Sequence, residues 1–320
     1  MALKNQILAM LEQSRGEPLS GSALAREFGV SRNAVWKAVN ALKAEGHIIE
    51  TAGRQGYQLA EDSDELTAEG IRACMDGFED IKILTYKEVA STNDEAKKFC
   101  VVNSGERAVF IAEKQTAGRG RFGRSFYSPE SGLYLSAVTH PNRTIERSVV
   151  YTAAAAVAAV RAITKVCGAE PKIKWINDLY LDGRKICGIL TEAVTDFETG
   201  EVRSMITGIG INLSTEDFPD ELREKAAGLG RGVRRNQLAA QIICELYRLS
   251  ELEPSAFMEE YRRDCFLIGR EIIFFDGEKE LCARVADIGA DCELVLDIDG
   301  EKRSYIHGEI RKIIGEDIKI

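Results

Sequence analysis

The chain is poor in several residue types, and each shortage narrows what the protein can be. Its eight cysteines form no Cys-x-x-Cys pair, so we expect reduced cytoplasmic thiols and neither a zinc site nor a disulfide framework. Its three histidines, His47, His140 and His307, fall in separate segments, which leaves no convincing Ser-His or Cys-His pair for covalent catalysis. We find no apolar run of the length that spans a bilayer and no start typical of a signal peptide, so no membrane partner is expected.

The chain also has fewer basic than acidic residues. Lysine and arginine number 42 against 51 aspartates and glutamates, for a net charge of −9, which argues against a protein that coats nucleic acid along its whole length. Residues 1–60 differ from the rest, because they hold seven basic and only five acidic side chains. With 320 residues, 45% of them hydrophobic, we expect a globular chain of two or three domains.

The first sixty residues have the pattern of a winged helix-turn-helix domain. Helical spacing over 3–13, a short segment that ends at Gly29 and a helix capped by Ser31 are followed by two strands around 52–56. The second helix and the wing present side chains suited to bases and phosphates. The predicted DNA-binding residues are Ser31, Arg32, Asn33, Trp36, Lys37, Arg54 and Gln55. A small helical module that docks on proteins is the alternative, and the acidic run 61–65 is interpreted as a linker.

Two runs in the centre of the chain carry the chemistry. The first, Gly118-Arg119-Gly120-Arg121-Phe122-Gly123-Arg124, alternates glycines, which allow close backbone approach, with arginines, which bind phosphate and carboxylate oxygens. The second is KWINDLYLDGRKICGIL over 174–190. Alternating helix and strand signals over 66–269 surround both runs, and short strands with tight turns over 270–320 predict a small β-barrel. Taken alone, Lys185 could lie on a solvated hairpin edge, and Ser91 could serve as a helix cap as well as a ligand.

These runs, together with Gly183-Arg184-Lys185 and Gly188-Ile189-Leu190, resemble the signature motifs of biotin protein ligases. With the winged helix attached, the whole chain resembles the bifunctional members that also repress biotin-synthesis genes. Two positions depart from the family pattern: Ile176 stands where a proline is usual, and Phe126 where a tryptophan is usual. The resemblance implies an α+β multidomain fold with a winged helix-turn-helix domain at 1–62, a mixed-sheet α/β ligase core at 66–269 and an SH3-like domain at 270–320.

The resemblance also implies an activity. Biotin and ATP, with Mg²⁺, would form biotinyl-5′-AMP and pyrophosphate, and biotin would then pass to one lysine of biotin carboxyl carrier protein. The adenylate would act as corepressor, and the adenylate-bound chain would bind operator DNA as a homodimer. Two alternatives keep the fold: a relative that transfers lipoate or octanoate, and a repressor whose core only senses a metabolite.

Site roles follow from the motif match, residue by residue. Among the catalytic residues, Lys185 would lie between the biotin carboxylate and the α-phosphate, Arg121 would hold the closed loop, and Asp178 would lie near the magnesium or the incoming lysine. The implied biotin-binding residues are Ser91, Thr92, Asn93, Gln115, Gly118, Arg119, Arg121, Lys185 and Gly188. The implied nucleotide-binding residues are Arg119, Arg121, Arg124, Asn177, Lys185 and Asn212.

Overall fold

The computed structural model describes residues 2–53, 55–103, 105–140, 148–196, 198–230 and 232–315. The chain divides into two compact units. One comprises Met1–Glu79 with Arg234–Cys244, and the other comprises Asp80–Val233 with Glu245–Ile320. The domain boundaries that the sequence suggests after residues 62 and 269 stay predictions.

The N-terminal elements follow the helix-turn-helix pattern. They are α1 (Leu3–Gln13), α2 (Gly21–Glu27), α3 (Arg32–Ala44), the strands β1 (Ile49–Thr51) and β2 (Tyr57–Leu59), and α4 (Ala68–Cys74). The predicted Ser31 cap forms, because its hydroxyl accepts a hydrogen bond from a first-turn N–H group of α3, and the Ser20 hydroxyl caps α2 in the same way. Strands β1 and β2 pair antiparallel as the wing.

A small apolar core holds α1, α2 and α3 against the wing. Its fully buried members are Ile7, Leu8, Leu11, Leu24, Val35, Val39, Leu42 and Leu59. The opposite face of α3 is open to solvent, where Arg32, Asn33 and Lys37 are exposed and Trp36 keeps 55% of its surface. Of the other predicted DNA-binding residues, Ser31 and Gln55 are exposed and Arg54 lies outside the described residues.

The acidic run 61–65 packs within the first unit. Ser63 is buried, and its carbonyl accepts a hydrogen bond of 2.8 Å from Arg15 Nη1. The Asp64 carboxylate accepts from the backbone N–H of Arg235 at 2.8 Å and pairs with the guanidinium of the same residue. The run is therefore held by specific polar contacts on both sides.

The central fold is a seven-stranded mixed sheet with helices, as the sequence predicts. Its strands are β3 (Lys82–Val89), β4 (Ala108–Gln115), β5 (Gly132–Thr139), β6 (Lys172–Lys174), β7 (Asp178–Leu181), β8 (Arg184–Thr195) and β9 (Val202–Asn212). Its helices are α5 (Thr92–Val102), α6 (Ser148–Cys167), α7 (Asp220–Arg223), α8 (Arg235–Ser250) and α9 (Met258–Asp264). The strand order is β3-β4-β5-β9-β8-β7-β6, in which β3 and β4 are parallel and the other pairs antiparallel.

The sequence predicts helices over 222–227 and 255–266, and the structure has shorter ones. The helix predicted over 222–227 is only α7, because the chain leaves it to pair with β8: Lys185 N–H donates to Lys225 O, and Ala227 N–H donates to Lys185 O, both at 2.9 Å. The helix predicted over 255–266 is a short 3-10 turn followed by α9, since Phe257 between them is not helical.

Helix α6 corrects one expectation from the sequence. By length and composition, Val149–Cys167 could cross a membrane, with a mean hydropathy of 1.5, whereas we expected no such segment. However, 72% of this window is buried inside the protein, and the helix packs on β8 and β9. Its apolar character therefore belongs to the core, in agreement with the alanine-rich run 152–159, which by its sequence predicts a packed helix.

The C-terminal elements form a five-stranded antiparallel sheet. The strands are β10 (Glu271–Asp276), β11 (Lys279–Ile288), β12 (Leu294–Ile298), β13 (Glu301–Tyr305) and β14 (Glu309–Ile313), in the order β13-β12-β11-β10-β14. Ile272, Phe274, Val285 and Leu296 are buried on one side of it. The predicted small β-domain is confirmed as an antiparallel sheet, and its SH3-like character stays a prediction.

Candidate active site

The glycine-arginine run forms a tight loop between β4 and β5. Gly120 N–H donates to Arg124 O at 2.8 Å, and Phe126 N–H donates to Gly118 O at 2.9 Å. Phe122 and Gly123 turn the tip with φ of 57° and 71°. A Cβ on Gly118 would lie 2.6 Å from Phe126 O, so only glycine fits there. The loop is thus a defined structure that directs its arginines to three different places.

Each arginine of the loop has its own partner. Arg119 forms an ion pair with Asp94 of α5, and Arg124 forms one with Glu309 of β14. The more buried Arg121 lies 3.4 Å from both Asn177 Oδ1 and Gly308 O. Burial lowers the pKa of the Arg121 guanidinium from its ordinary value, against the opposing effect of the Asp178 charge. The loop is thereby tied to α5, to the segment before β7 and to the C-terminal sheet.

The second motif brings two lysines to one carboxylate. Lys185 Nζ lies 2.7 Å from Asp178 Oδ1, in the geometry of an ion pair rather than of a directed hydrogen bond. Lys174 is the direct partner of Asp178 in the β6–β7 register and is only 9% exposed. Burial lowers the pKa of Lys174 from 10.5 to about 8; the Asp178 charge opposes this effect and the Lys185 charge adds to it.

A polar cluster lies at the start of α5. Gln115 Oε1 accepts hydrogen bonds from Thr92 N–H at 2.9 Å and from Thr92 Oγ1 at 3.1 Å. Asn93 Nδ2 donates to Glu192 Oε2 at 2.7 Å, while its Oδ1 lies 2.5 Å from the Ser136 hydroxyl. Ser91 is buried and occupies the N-cap position of α5, but its side chain makes no capping bond. The cluster offers fixed donors and acceptors for an uncharged polar ligand.

Two glycines form a flat floor beside this cluster. Gly188 and Gly210 are direct partners in the β8–β9 register, and the Phe126 ring lies on both. A Cβ on Gly210 would be 2.6 Å from Phe126 Cε1, and one on Gly188 would be 2.8 Å from Cε2. The ring centre is 5.8 Å from Lys185 Nζ. Side chains at either glycine would exclude this packing.

These groups surround one cavity of about 990 Å³, including its open mouth. It is lined by eleven of the predicted site residues: Ser91, Thr92, Asn93, Gln115, Arg119, Arg121, Arg124, Asn177, Asp178, Lys185 and Gly188. The other two lie behind the lining: Gly118 at the base of the loop, and Asn212, buried, with its Nδ2 3.3 Å from Lys185 O. Within the described ranges, no three His, Cys, Asp or Glu side chains gather where they could hold a metal ion.

Some lining residues were missed by sequence reasoning. Lys174 is part of the 174–190 motif, but no neighbouring residue in the sequence distinguishes it from Lys172, so the sequence assigns it no role. Gly208 and Gly210 carried a usable signal, because glycines two apart in a strand lie on the same face. The cavity therefore combines a polar end, a glycine floor and a cationic end.

Comparison with known proteins gives matches over nearly the whole chain. The Biotin/lipoate A/B protein ligase family matches residues 87–212, and an HTH domain family matches residues 4–58. The bifunctional ligase/repressor BirA of Bacillus subtilis is 36% identical over 233 residues, which cover 72% of this chain and 71% of that protein. The bifunctional ligase/repressor BirA of Escherichia coli is 29% identical over 316 residues, which cover 95% of each.

Among solved structures, the chain is similar in fold to the biotin protein ligase of Aquifex aeolicus in complex with biotin and ATP. The TM-score is 0.61 at 22% identity, over 72% of this chain and 97% of that one. This likeness supports the architecture of the central and C-terminal sheets.

Proposed function

Because this chain belongs to the family of bifunctional ligase/repressors and is thus a biotin protein ligase, we propose that it uses ATP to make biotinyl-5′-AMP. It then transfers biotin to a lysine of biotin carboxyl carrier protein. The observation that carries this proposal is the cavity itself, whose lining combines a polar cluster, a glycine floor and five cationic side chains. That arrangement suits an acid with an uncharged polar head, joined at its carboxylate to a nucleotide.

In the first step, a biotin carboxylate oxygen attacks the α-phosphorus of MgATP. A new P–O bond forms, the bond to the β-phosphate oxygen breaks, and pyrophosphate leaves. The main barrier is repulsion between two anions, which fixed positive charges reduce. Lys185 is proposed to lie between the carboxylate and the α-phosphate, and Arg121 to hold the loop over both. Mg²⁺ enters as part of the substrate, on the phosphates.

In the second step, the amine of the carrier lysine attacks the acyl carbon of the adenylate. A C–N bond forms, the bond from the acyl carbon to the AMP oxygen breaks, and the amine loses a proton as AMP departs. No covalent bond to the enzyme is needed. Asp178, already held by Lys185, is proposed to orient the incoming amine.

At the polar end of the cavity, we assign Ser91, Thr92 and Gln115 to the ureido ring of biotin. The Thr92–Gln115 hydrogen bonds fix both side chains before ligand arrives, which lowers the entropic cost of binding. The Asn93 amide nitrogen is already used by Glu192, so its part is to hold the start of α5 in place. Gly188 leaves room for the biotin chain once the Phe126 ring moves aside.

The second proposed activity is ligand-dependent repression of biotin synthesis or transport genes in the cytoplasm. The exposed start of α3 supports it, because Arg32, Asn33 and Lys37 stand free of the apolar core where a recognition helix meets DNA. We propose that the adenylate closes the 119–124 loop and so orders a face on which two ligase cores pair, and that the homodimer then spans two half-sites of an operator. DNA affinity that is indifferent to biotin and ATP would contradict this coupling.

The test is pyrophosphate release from MgATP with biotin, lipoate, octanoate or no acid. Release with biotin alone, and none from folded Lys185→Ala, is the expected result. Release with lipoate or octanoate would instead place the chain among transferases of those acids. No release with any acid, from a protein that still binds DNA, would leave a repressor that only senses a metabolite.

A further inference from the structure

The cationic end of the cavity is only partly neutralised by the protein. Three of its five cationic side chains are paired with carboxylates: Arg119 with Asp94, Arg124 with Glu309 and Lys185 with Asp178. The other two, Arg121 and Lys174, have no carboxylate partner within the part of the chain that the structure describes. Arg121 at least approaches two neutral oxygens. Lys174 is therefore the group whose charge most needs an explanation.

The burial of Lys174 makes its positive charge energetically unfavourable in the folded protein. The side chain is 9% exposed and lines the cavity, and no described residue accepts a hydrogen bond from its ammonium group. Burying an unpaired charge costs several kcal/mol in proteins. Lys172, two residues earlier on β6, shows the ordinary arrangement: it is exposed and pairs with Asp264 at 3.0 Å. A methionine at position 174 would fill similar space without the cost, so the cation has a use there.

We propose that Lys174 binds a phosphate oxygen of the nucleotide and is a nucleotide-binding residue of the ligase reaction. This inference rests on the proposed function, since it takes ATP as the ligand of the cavity. Lys174 and Lys185 lie on either side of Asp178, but Asp178 satisfies only Lys185. The Lys174 ammonium is thus free to meet a bound phosphate, where a charge-assisted hydrogen bond forms in a site of low polarity.

The test compares three variants of the full-length chain. Lys174→Met removes the charge with little change in volume, Lys174→Arg keeps the charge, and Lys172→Met is the matched control on the same strand. Calorimetry measures the binding of ATP, AMP, pyrophosphate and biotin to each. We expect Lys174→Met to weaken ATP binding by about 10- to 100-fold and to leave biotin binding without nucleotide nearly unchanged. Lys174→Arg should recover most of the loss, and Lys172→Met should match the wild type.

The ligand series shows which phosphate is bound. An equal loss for AMP and ATP assigns Lys174 to the α-phosphate, whereas a loss for ATP and pyrophosphate but not AMP assigns it to the leaving group. Both outcomes support the proposal. It is overturned if Lys174→Met binds ATP as Lys172→Met does, or if it loses biotin and ATP affinity equally.

The same data separate this inference from the proposed function. A wild-type chain that binds ATP through Lys174 but releases no pyrophosphate with biotin would refute the ligase assignment alone. Biotin-dependent release that Lys174→Met performs with the wild-type KM for ATP would refute the role of Lys174 alone.

Discussion

Removing the Lys174 charge should make the empty protein more stable. Burial lowers the pKa of Lys174 from 10.5 to about 8, and at about 1.4 kcal/mol per pH unit the folded state pays about 3 kcal/mol to keep this group charged. Lys174→Met removes that cost. At pH 7 we therefore expect its free energy of unfolding to exceed that of the wild type by up to about 3 kcal/mol, although most core substitutions destabilise.

The difference in free energy of unfolding between Lys174→Met and the wild type should decrease as the pH rises. Between about pH 8 and 10.5 the unfolded chain keeps a proton on Lys174 that the folded chain has lost, so the stability of the wild type rises through this range. Below pH 8 the folded and the unfolded wild-type chain both keep Lys174 protonated, and the buried charge destabilises the folded state to its full extent. The difference between Lys174→Met and wild type should thus be largest at pH 7 and nearly gone by pH 10.5.

Urea unfolding followed by tryptophan fluorescence can measure this difference. The chain has two tryptophans: Trp175 is buried next to Lys174, and Trp36 is exposed in the N-terminal unit. A Trp36→Phe background makes the signal report on the ligase core alone, and Lys172→Met controls for general loss of a lysine. Lower stability of Lys174→Met at pH 7, or a difference that stays constant up to pH 10, would refute the reasoning.

Further substitutions test other parts of the molecule. Lys185→Ala should reduce pyrophosphate release at least 100-fold without lowering the melting temperature by more than a few degrees; full activity would contradict its assignment. Gly188→Ala should weaken biotin binding about 10-fold by calorimetry, because its methyl would fill the space that Gly188 leaves for the biotin chain; restored binding in Gly188→Ala/Phe126→Ala would contradict this, since the Phe126 ring has already moved aside in the complex. Arg121→Gly should speed release of the adenylate in a chase experiment more than it weakens biotin binding. Arg32→Ala should make the slope of log K for DNA against log salt about 0.9 less negative; an unchanged slope would exclude a phosphate contact.

Many helices, turns and motifs of this protein could be predicted, because they depend on residues that are close together in the sequence. Helix periodicity and the Ser31 cap predict α1–α3, and the turn residues Asp182-Gly183 and Glu198-Thr199-Gly200 predict the hairpins that join β7, β8 and β9. The glycine-arginine loop and the 174–190 run were expected in one site, and their side chains do line one cavity. Motif residues meet in this way because the loop 118–124 joins two strands of the sheet and the 174–190 run forms neighbouring strands of the same sheet.

Features that depend on distant parts of the chain could not be predicted. Lys172 and Lys174 have the same chemistry on the same strand, yet one is exposed and the other buried; what differs is the surroundings, which other segments supply. The packing of Phe126 on Gly188 and Gly210 likewise needs a loop and two strands together. The early end of α7 has the same origin, since the residues that follow it, Lys225 and Ala227, pair with Lys185.

The contacts of the loop with the C-terminal sheet have a consequence for how the protein is made. Arg121 and Arg124 reach Gly308 and Glu309, so the wall of the cavity is not complete until synthesis has reached Glu309. The apolar core of the helix-turn-helix, in contrast, uses residues between Leu3 and Leu59. At ribosomal rates the two stages are separated by roughly 10–50 s. Each nascent chain therefore holds all the residues of its helix-turn-helix core well before the walls of the cavity are complete.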